Sequence, residues 1–200
     1  MPNLKKLLLL TVAVFLCTAL SAQRFKDLMD AANTEYNLHA YNRAVSSYKK
    51  ALQRRSNDSE ALGKLADCYR HLNQLDEAAK WYDRAIDQKK VEPIYKFQYG
   101  LVLKGLGRYN DAISVFLDYA RTDPGKGNHY AKSCNFALLQ QGVSSNYLVR
   151  NELTNTNASE FGAVINGPQV VFSSARMDIQ RTSANWTGNA NNQLFVVLTD

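Results

Sequence analysis

Apolar residues recur at helical spacing through the first two thirds of the chain, in short runs broken by polar or Gly-bearing stretches. In LDEAAKWYDRAIDQ, Leu75 to Gln88, the residues Ala78, Tyr82, Ala85 and Ile86 share one helical face. The same arrangement lies 34 residues upstream in YNRAVSSYKKALQR and 34 downstream in YNDAISVFLDYART. Ala44, Ala78 and Ala112 align, as do Tyr48, Tyr82 and Phe116, whereas Tyr119 breaks the Ala51 and Ala85 column. The preceding halves align as well: LMDAANTEYNLHA at 28–40, LGKLADCYRHLNQ at 62–74 and KFQYGLVLKGLGR at 96–108. Each period therefore predicts two helices and a polar turn. Beyond Gly142 the helical period stops and an Asn-, Ser- and Thr-rich stretch follows. Alternating β-branched residues then predict strands in AVING, QVVFSSAR and QLFVVLTD, the first two joined through Gly167-Pro168.

Two helices repeated every 34 residues resemble the tetratricopeptide repeat (TPR) family over about Phe25 to Lys126. The matching positions are Leu65, Ala66, Tyr69, Ala78, Tyr82 and Ala85 in the second repeat, and Gly100, Ala112, Phe116 and Pro124 in the third. The first repeat is the weakest, with Ala31, Ala32 and Glu35 at three usual sites. The expected fold is an α-solenoid of three repeats, 25–58, 59–92 and 93–126, closed by a capping helix at 127–142. Small residues are expected where helices cross: Ala32 with Ala44, Ala66 with Ala78, and Gly100 with Ala112. Trp81 and Tyr82 then read as packing residues, and Asp76 and Glu77 as acids at the positive end of a helix dipole.

A linker at 143–160 leads to residues 161–200, which resemble the first blade of a TolB-type, WD-repeat-like β-propeller. The resemblance rests on Phe161-Gly162, Val170 to Ser174 with Arg176, and Leu194 to Val196. A ring needs at least four blades, so these residues are expected to be an incomplete propeller and the chain the N-terminal part of a longer protein. A small hairpin packed on the last helices is the competing expectation.

The N-terminus adds an address. Lys5 and Lys6 precede an apolar run from Leu7 to Leu20 that is shorter than the ~20 residues of a membrane span and ends in small residues. Residues 1–22 are expected to be a secretory signal peptide, cleaved after Ala22 or after Ser21. The layout resembles periplasmic OmpA-family envelope proteins of Bacteroidetes type, one branch of which includes PorE-like components of type IX secretion. That resemblance implies a periplasmic, outer-membrane-associated protein, with peptidoglycan bound only by a domain beyond Asp200.

Export permits a disulfide, and Cys68 and Cys134 remain after cleavage. Like helices two units apart should be separated by about 20 Å at 8–10 Å per helix contact. A disulfide needs Cα atoms within about 7 Å, so both thiols are expected free and mostly buried.

Composition changes the picture little. The chain of 200 residues is 46% hydrophobic and 21% charged, and its 11 Tyr against 2 Trp suit half-buried packing positions. A net charge of +6 without any run of five basic residues does not point to nucleic acid. HExxH, CxxC, P-loop and GxGxxG motifs are absent from the sequence, and His39, His71 and His129 fall in different repeats. Ser173-Ser174 lacks the Gly-x-Ser-x-Gly setting of a nucleophile. The expected function is a non-enzymatic protein–protein interaction scaffold, with no cofactor, metal or small-molecule substrate. The alternative is the N-terminal part of a secreted peptidase whose catalytic domain lies downstream. Envelope proteins or peptides would occupy a groove lined by Asn33, Tyr36, Asp67, Arg70, Phe97, Leu101 and Lys104. The chaperone-tail clamp found in some TPR proteins is not matched: only Asn33 sits at its place, with Met29, Asp67, Ile94 and Gln98 at the others.

Overall fold

The computed structural model describes residues 21–141, 143, 156–158, 160–176 and 193–198. The expected signal peptide up to residue 20 and most of the expected linker lie outside the described residues. The chain divides into two units, residues 1–142 and 143–200.

The first unit is helical. Helix α1 covers residues 21–37. It is followed by α2 (Tyr41–Arg54), α3 (Ser59–His71), α4 (Leu75–Ile86), α5 (Pro93–Gly105), α6 (Tyr109–Tyr119) and α7 (Pro124–Gln141). Each helix from α2 onward packs on the next in chain order, and α3 also meets α5. This is the solenoid pattern, in which apolar faces are buried only by stacking.

Local signals explain the helix ends. Asp58 caps α3 by accepting from Ala61 N at 3.0 Å, Pro93 occupies the first turn of α5, and Asp123 accepts from Lys126 N at 2.9 Å at the start of α7. Inside each repeat the turn between helices places one residue in the left-handed region: His39 and Asn73 at φ 56° and Gly107 at φ 72°. The three turns close with the same bonds, Ala40 N to Glu35 O, Gln74 N to Tyr69 O and Arg108 N to Leu103 O. The repeat is thus visible in the backbone as well as in the side chains.

Ala32, Ala44, Ala66, Ala78 and Ala112 are fully buried, together with Tyr48, Tyr82 and Phe116. Gly100 and Gly127 permit closer approach than alanine would. A Cβ at Gly100 would lie 2.6 Å from the Phe116 ring, so Gly100 makes room for that ring as well as for the helix crossing. A Cβ at Gly127 would lie 2.6 Å from both the Ala120 Cα and the Phe116 carbonyl oxygen. Gly127 therefore lets the first turn of α7 rest on the end of α6. The capping helix accordingly begins at Pro124 rather than at Gly127, because Asp123 and Pro124 already supply a cap and a first turn.

Cys68 and Cys134 are both buried and free. Burial raises both thiol pKa values, so neither is poised as a thiolate.

The second unit contains an antiparallel sheet in the order β1 (Glu160–Asn166), β2 (Gln169–Ser174), β3 (Gln193–Leu198). Gly167 turns β1 into β2 at φ 59°. Phe172 pairs with Phe195 across β2 and β3, with ring centroids 6.0 Å apart and the Arg176 guanidinium over both rings. Ser174 is buried; its hydroxyl donates to Glu160 Oε1 at 3.0 Å and accepts from Arg176 Nε at 3.0 Å. Three strands among the described residues make a small sheet, one strand fewer than a propeller blade and no ring.

Replacing Gly127 by Ala should lower unfolding stability by about 1–3 kcal/mol, because its contacts are backbone atoms with little freedom to move. Thermal denaturation followed by circular dichroism at 222 nm checks this; an unchanged midpoint would show that α7 does not need this close approach.

Candidate functional site: the face shared by α1, α3 and α5

The first helix of each repeat presents residues to a common face. Asn33, Asp67 and Leu101 occupy equivalent positions, and Tyr48, Tyr82 and Phe116 face them from the second helices. Tyr48 donates its hydroxyl to Asn33 Oδ1 at 2.6 Å, and Tyr82 donates to Asp67 Oδ1 at 2.9 Å. In the third repeat neither partner is polar. A buried phenol needs an acceptor, and the Tyr-to-Phe change coincides with the loss of one.

Asp67 collects further donors. Tyr36 on α1 donates its hydroxyl to Asp67 Oδ2. Arg70, one turn along α3, approaches Oδ1 through Nε at 2.8 Å and a terminal nitrogen at 2.5 Å. His71 Nε2 stands 3.8 Å from Oδ2, and the His71 ring stacks on Tyr41 with centroids 4.2 Å apart. Asp67 is 13% exposed and Arg70 27%, so this pair is shielded from solvent.

Burial alone would raise the Asp67 carboxyl, but the Tyr36 hydrogen bond, the charge of Arg70 and the Arg70 and Tyr82 hydrogen bonds outweigh it, and the net shift is downward. The same carboxylate, after burial, pushes the Tyr36 and Tyr82 hydroxyls upward. His71 is lowered, first by burial and then by the charges of Arg70 and His39, with Asp67 opposing.

Beside this network lies a pocket of about 330 Å³ lined by Tyr36, Lys64 and Asp67 on one side and Ile94, Tyr95 and Gln98 on the other, with Glu60 and Glu92 at its borders. Gly63 creates part of it: a Cβ there would overlap the Tyr95 ring, which lies directly over the glycine. Lys64 holds its ammonium 4.5 Å from the Tyr36 ring centroid. Gln98 Oε1 is buried and has no hydrogen-bond partner among the described residues.

The seven sequence candidates are therefore distributed unevenly. Tyr36, Asp67 and Arg70 come together in one network, and Tyr36 and Asp67 also line the pocket. Asn33 is half-buried against Tyr48 and lines a separate cleft at the α1 end. Leu101 is half-buried against the core, and Lys104 donates to Ser133 Oγ on α7 at 2.9 Å. Phe97 is corrected: it is 5% exposed and belongs to the core, covered by Tyr119, Tyr130 and the Lys126 ammonium 4.2 Å above its ring. Its helical position resembled that of a groove residue, but α7 covers it. Lys64, Tyr95, Glu60 and Glu92 were missed. The one available signal was Gly63 inside a helix, which marks a close approach. Among the described residues no group of three or more His, Cys, Asp or Glu could hold a metal ion.

Residues 38–96 match the family model described as Tetratricopeptide repeat. The human Protein O-mannosyl-transferase TMTC2 is 31% identical over 90 residues, covering 44% of this chain and 11% of that protein. The TPR repeat-containing protein MJ0263 of Methanocaldococcus jannaschii is 30% identical over 92 residues, covering 44% of this chain and 29% of that protein. The chain thus spans less than a third of either relative. Among solved structures, the first TPR of Spaghetti (RPAP3) bound to the HSP90 peptide SRMEEVD superposes with a TM-score of 0.54 at 15% identity, covering 58% of this chain and 94% of that one. The Arabidopsis OM64 TPR domain gives 0.53 at 17%, covering 58% and 98%. YrrB, a TPR protein with an unusual peptide-binding site, gives 0.51 at 19%, covering 57% and 61%. The seven helices among the described residues share the fold of these TPR arrays.

Because the native values of Asp67 and His71 are both depressed, their contributions to stability are complete above the unfolded values and lost as pH falls. Stability should decline first below about pH 6.5 as His71 is forced to charge, then below about pH 4 as Asp67 is protonated. Asp67→Asn should lower stability at pH 7 by roughly 2 kcal/mol, flatten the lower step and deepen the upper one, because Asp67 opposes the lowering of His71. Urea denaturation between pH 3 and 8 reads both; an unaltered lower step in the variant would refute the role given to Asp67.

Proposed function

We propose that the chain is a non-enzymatic protein-binding scaffold, and that the face shared by α1, α3 and α5 takes an extended segment of a partner protein. The observation that carries this reading is the pocket lined by Tyr36, Lys64, Asp67, Tyr95 and Gln98. It combines aromatic surface, charge and an unused buried acceptor on the first helices of a TPR array. Related folds with bound HSP90 and HSP70 peptides support a peptide as the form of ligand. The residues do not support the same peptides, since Met29, Asp67, Ile94 and Gln98 replace the clamp.

The proposal extends to location and context. The Lys5-Lys6 pair and the apolar run Leu7 to Leu20 favour export, and the resemblance in layout favours the bacterial envelope. In this reading the scaffold works at the periplasmic side of an outer-membrane assembly that is peptidoglycan-associated or linked to type IX secretion. The antiparallel sheet would then begin a propeller completed by further chain.

A photo-reactive amino acid at Ile94, an exposed pocket residue, should cross-link a discrete partner in intact cells. The same probe at Leu117, exposed on the second helix of the third repeat, should not. Equal cross-linking at both positions, or cross-linking at Leu117 alone, would contradict the assignment.

A further inference from the structure

The pocket beside Asp67 has a sign. Its lining carries three carboxylates, Glu60, Asp67 and Glu92, against one ammonium, Lys64. Asp67 is already matched by Arg70, and Lys64 is drawn to the Tyr36 ring. Glu60 and Glu92 are exposed on the pocket border, and neither forms an ion pair with a described residue. The Tyr95 hydroxyl registers the resulting field: after burial, it is raised by the charges of Glu92, Glu60, Asp67 and Asp58. The chemistry beside the pocket points the same way. Gln98 Oε1 is an acceptor removed from water without a donor, a state that destabilises until an N–H arrives. The terminal amide of glutamine turns about a soft torsion, so the oxygen can meet a donor entering the pocket. Tyr36 and the largely buried Tyr95 give the lining aromatic character, which suits a flat or methylene-rich cation.

Resting on the reading of this face as a peptide-binding surface, we propose that the pocket anchors a cationic side chain of the partner segment, an arginine or lysine. Gln98 Oε1 accepts from its N–H, Glu60 and Glu92 balance its charge, and Tyr36 and Tyr95 flank its stem. The specificity is for basic segments and against acidic ones. Lys64 lies at the Tyr36 side and excludes a second cation from the same space.

The test uses the purified chain, fluorescently labelled, on bead arrays of capped nonapeptides. The central residue is arginine, citrulline or glutamate, and the other positions are mixed. Arginine-centred beads should retain about tenfold more protein than glutamate-centred beads, with citrulline between them because it keeps the N–H donors without the charge. Gln98→Leu should reduce retention on arginine beads about tenfold while the melting temperature holds or rises, since an unpaired buried oxygen is removed. The double change Glu60→Gln, Glu92→Gln, at exposed positions, should abolish the preference for arginine over citrulline. Retention on glutamate beads equal to or above arginine beads would overturn the cationic anchor and leave the peptide-binding reading standing. Unchanged arginine retention in Gln98→Leu would overturn the anchor at this pocket. Loss of all retention together with loss of the Ile94 cross-link would overturn both.

Discussion

Asp67 receives hydrogen bonds from three helices: from Tyr36 on α1, from Tyr82 on α4 and from Arg70 on its own helix, α3. A carboxylate this shielded is stable only when its lone pairs are filled, and each charged hydrogen bond contributes about 1.5–3 kcal/mol. Its position decides what the face shared by α1, α3 and α5 looks like. Tyr36 is held toward the second repeat, which sets one wall of the pocket. Arg70 is turned inward along α3, so its charge is spent on Asp67 and is not offered to a ligand. Glu60 and Glu92 at the pocket border form no ion pair with a described residue, so their charge stays at the face.

The apolar side of the array rests on a different constraint, the closeness of helices. Gly63, Gly100 and Gly127 each remove a Cβ where an aromatic ring or a neighbouring backbone approaches. The left-handed residues His39, Asn73 and Gly107 return the chain at the same point of every repeat. Together they fix the stacking that brings α1, α3 and α5 to one face. Gly63 joins the two constraints, because the Tyr95 ring above it is both a packing residue and a pocket wall.

The repeat was legible because period, small residues and aromatic columns all pointed to one packing scheme. Ala32, Ala44, Ala66, Ala78 and Ala112 are buried as their spacing implied. The face shared by α1, α3 and α5 was only partly legible. Helical position placed Tyr36, Asp67 and Arg70 on it, but position cannot reveal that Tyr36 and Arg70 both turn to one carboxylate. Phe97 was misread because its cover, Tyr130 and Lys126, comes from α7, whose packing depends on the tertiary contact at Gly127. Tyr95 falls off the helical stripe used for the expectation, and it reaches the pocket wall by packing over Gly63, which lets α5 approach. For the second unit, strand alternation revealed β1, β2 and β3, but the number of strands in a larger assembly is not a local property.

The most direct test of this account is amide hydrogen exchange of Tyr36→Phe beside the unaltered protein. The variant keeps the ring and removes only the hydroxyl that ties α1 to Asp67. The account predicts faster exchange confined to residues 21–37 and the neighbouring turn of α3, with α5, α6 and α7 unchanged. Equal protection of α1 in both proteins, or a uniform loss across all seven helices, would show that the face is not organised around Asp67.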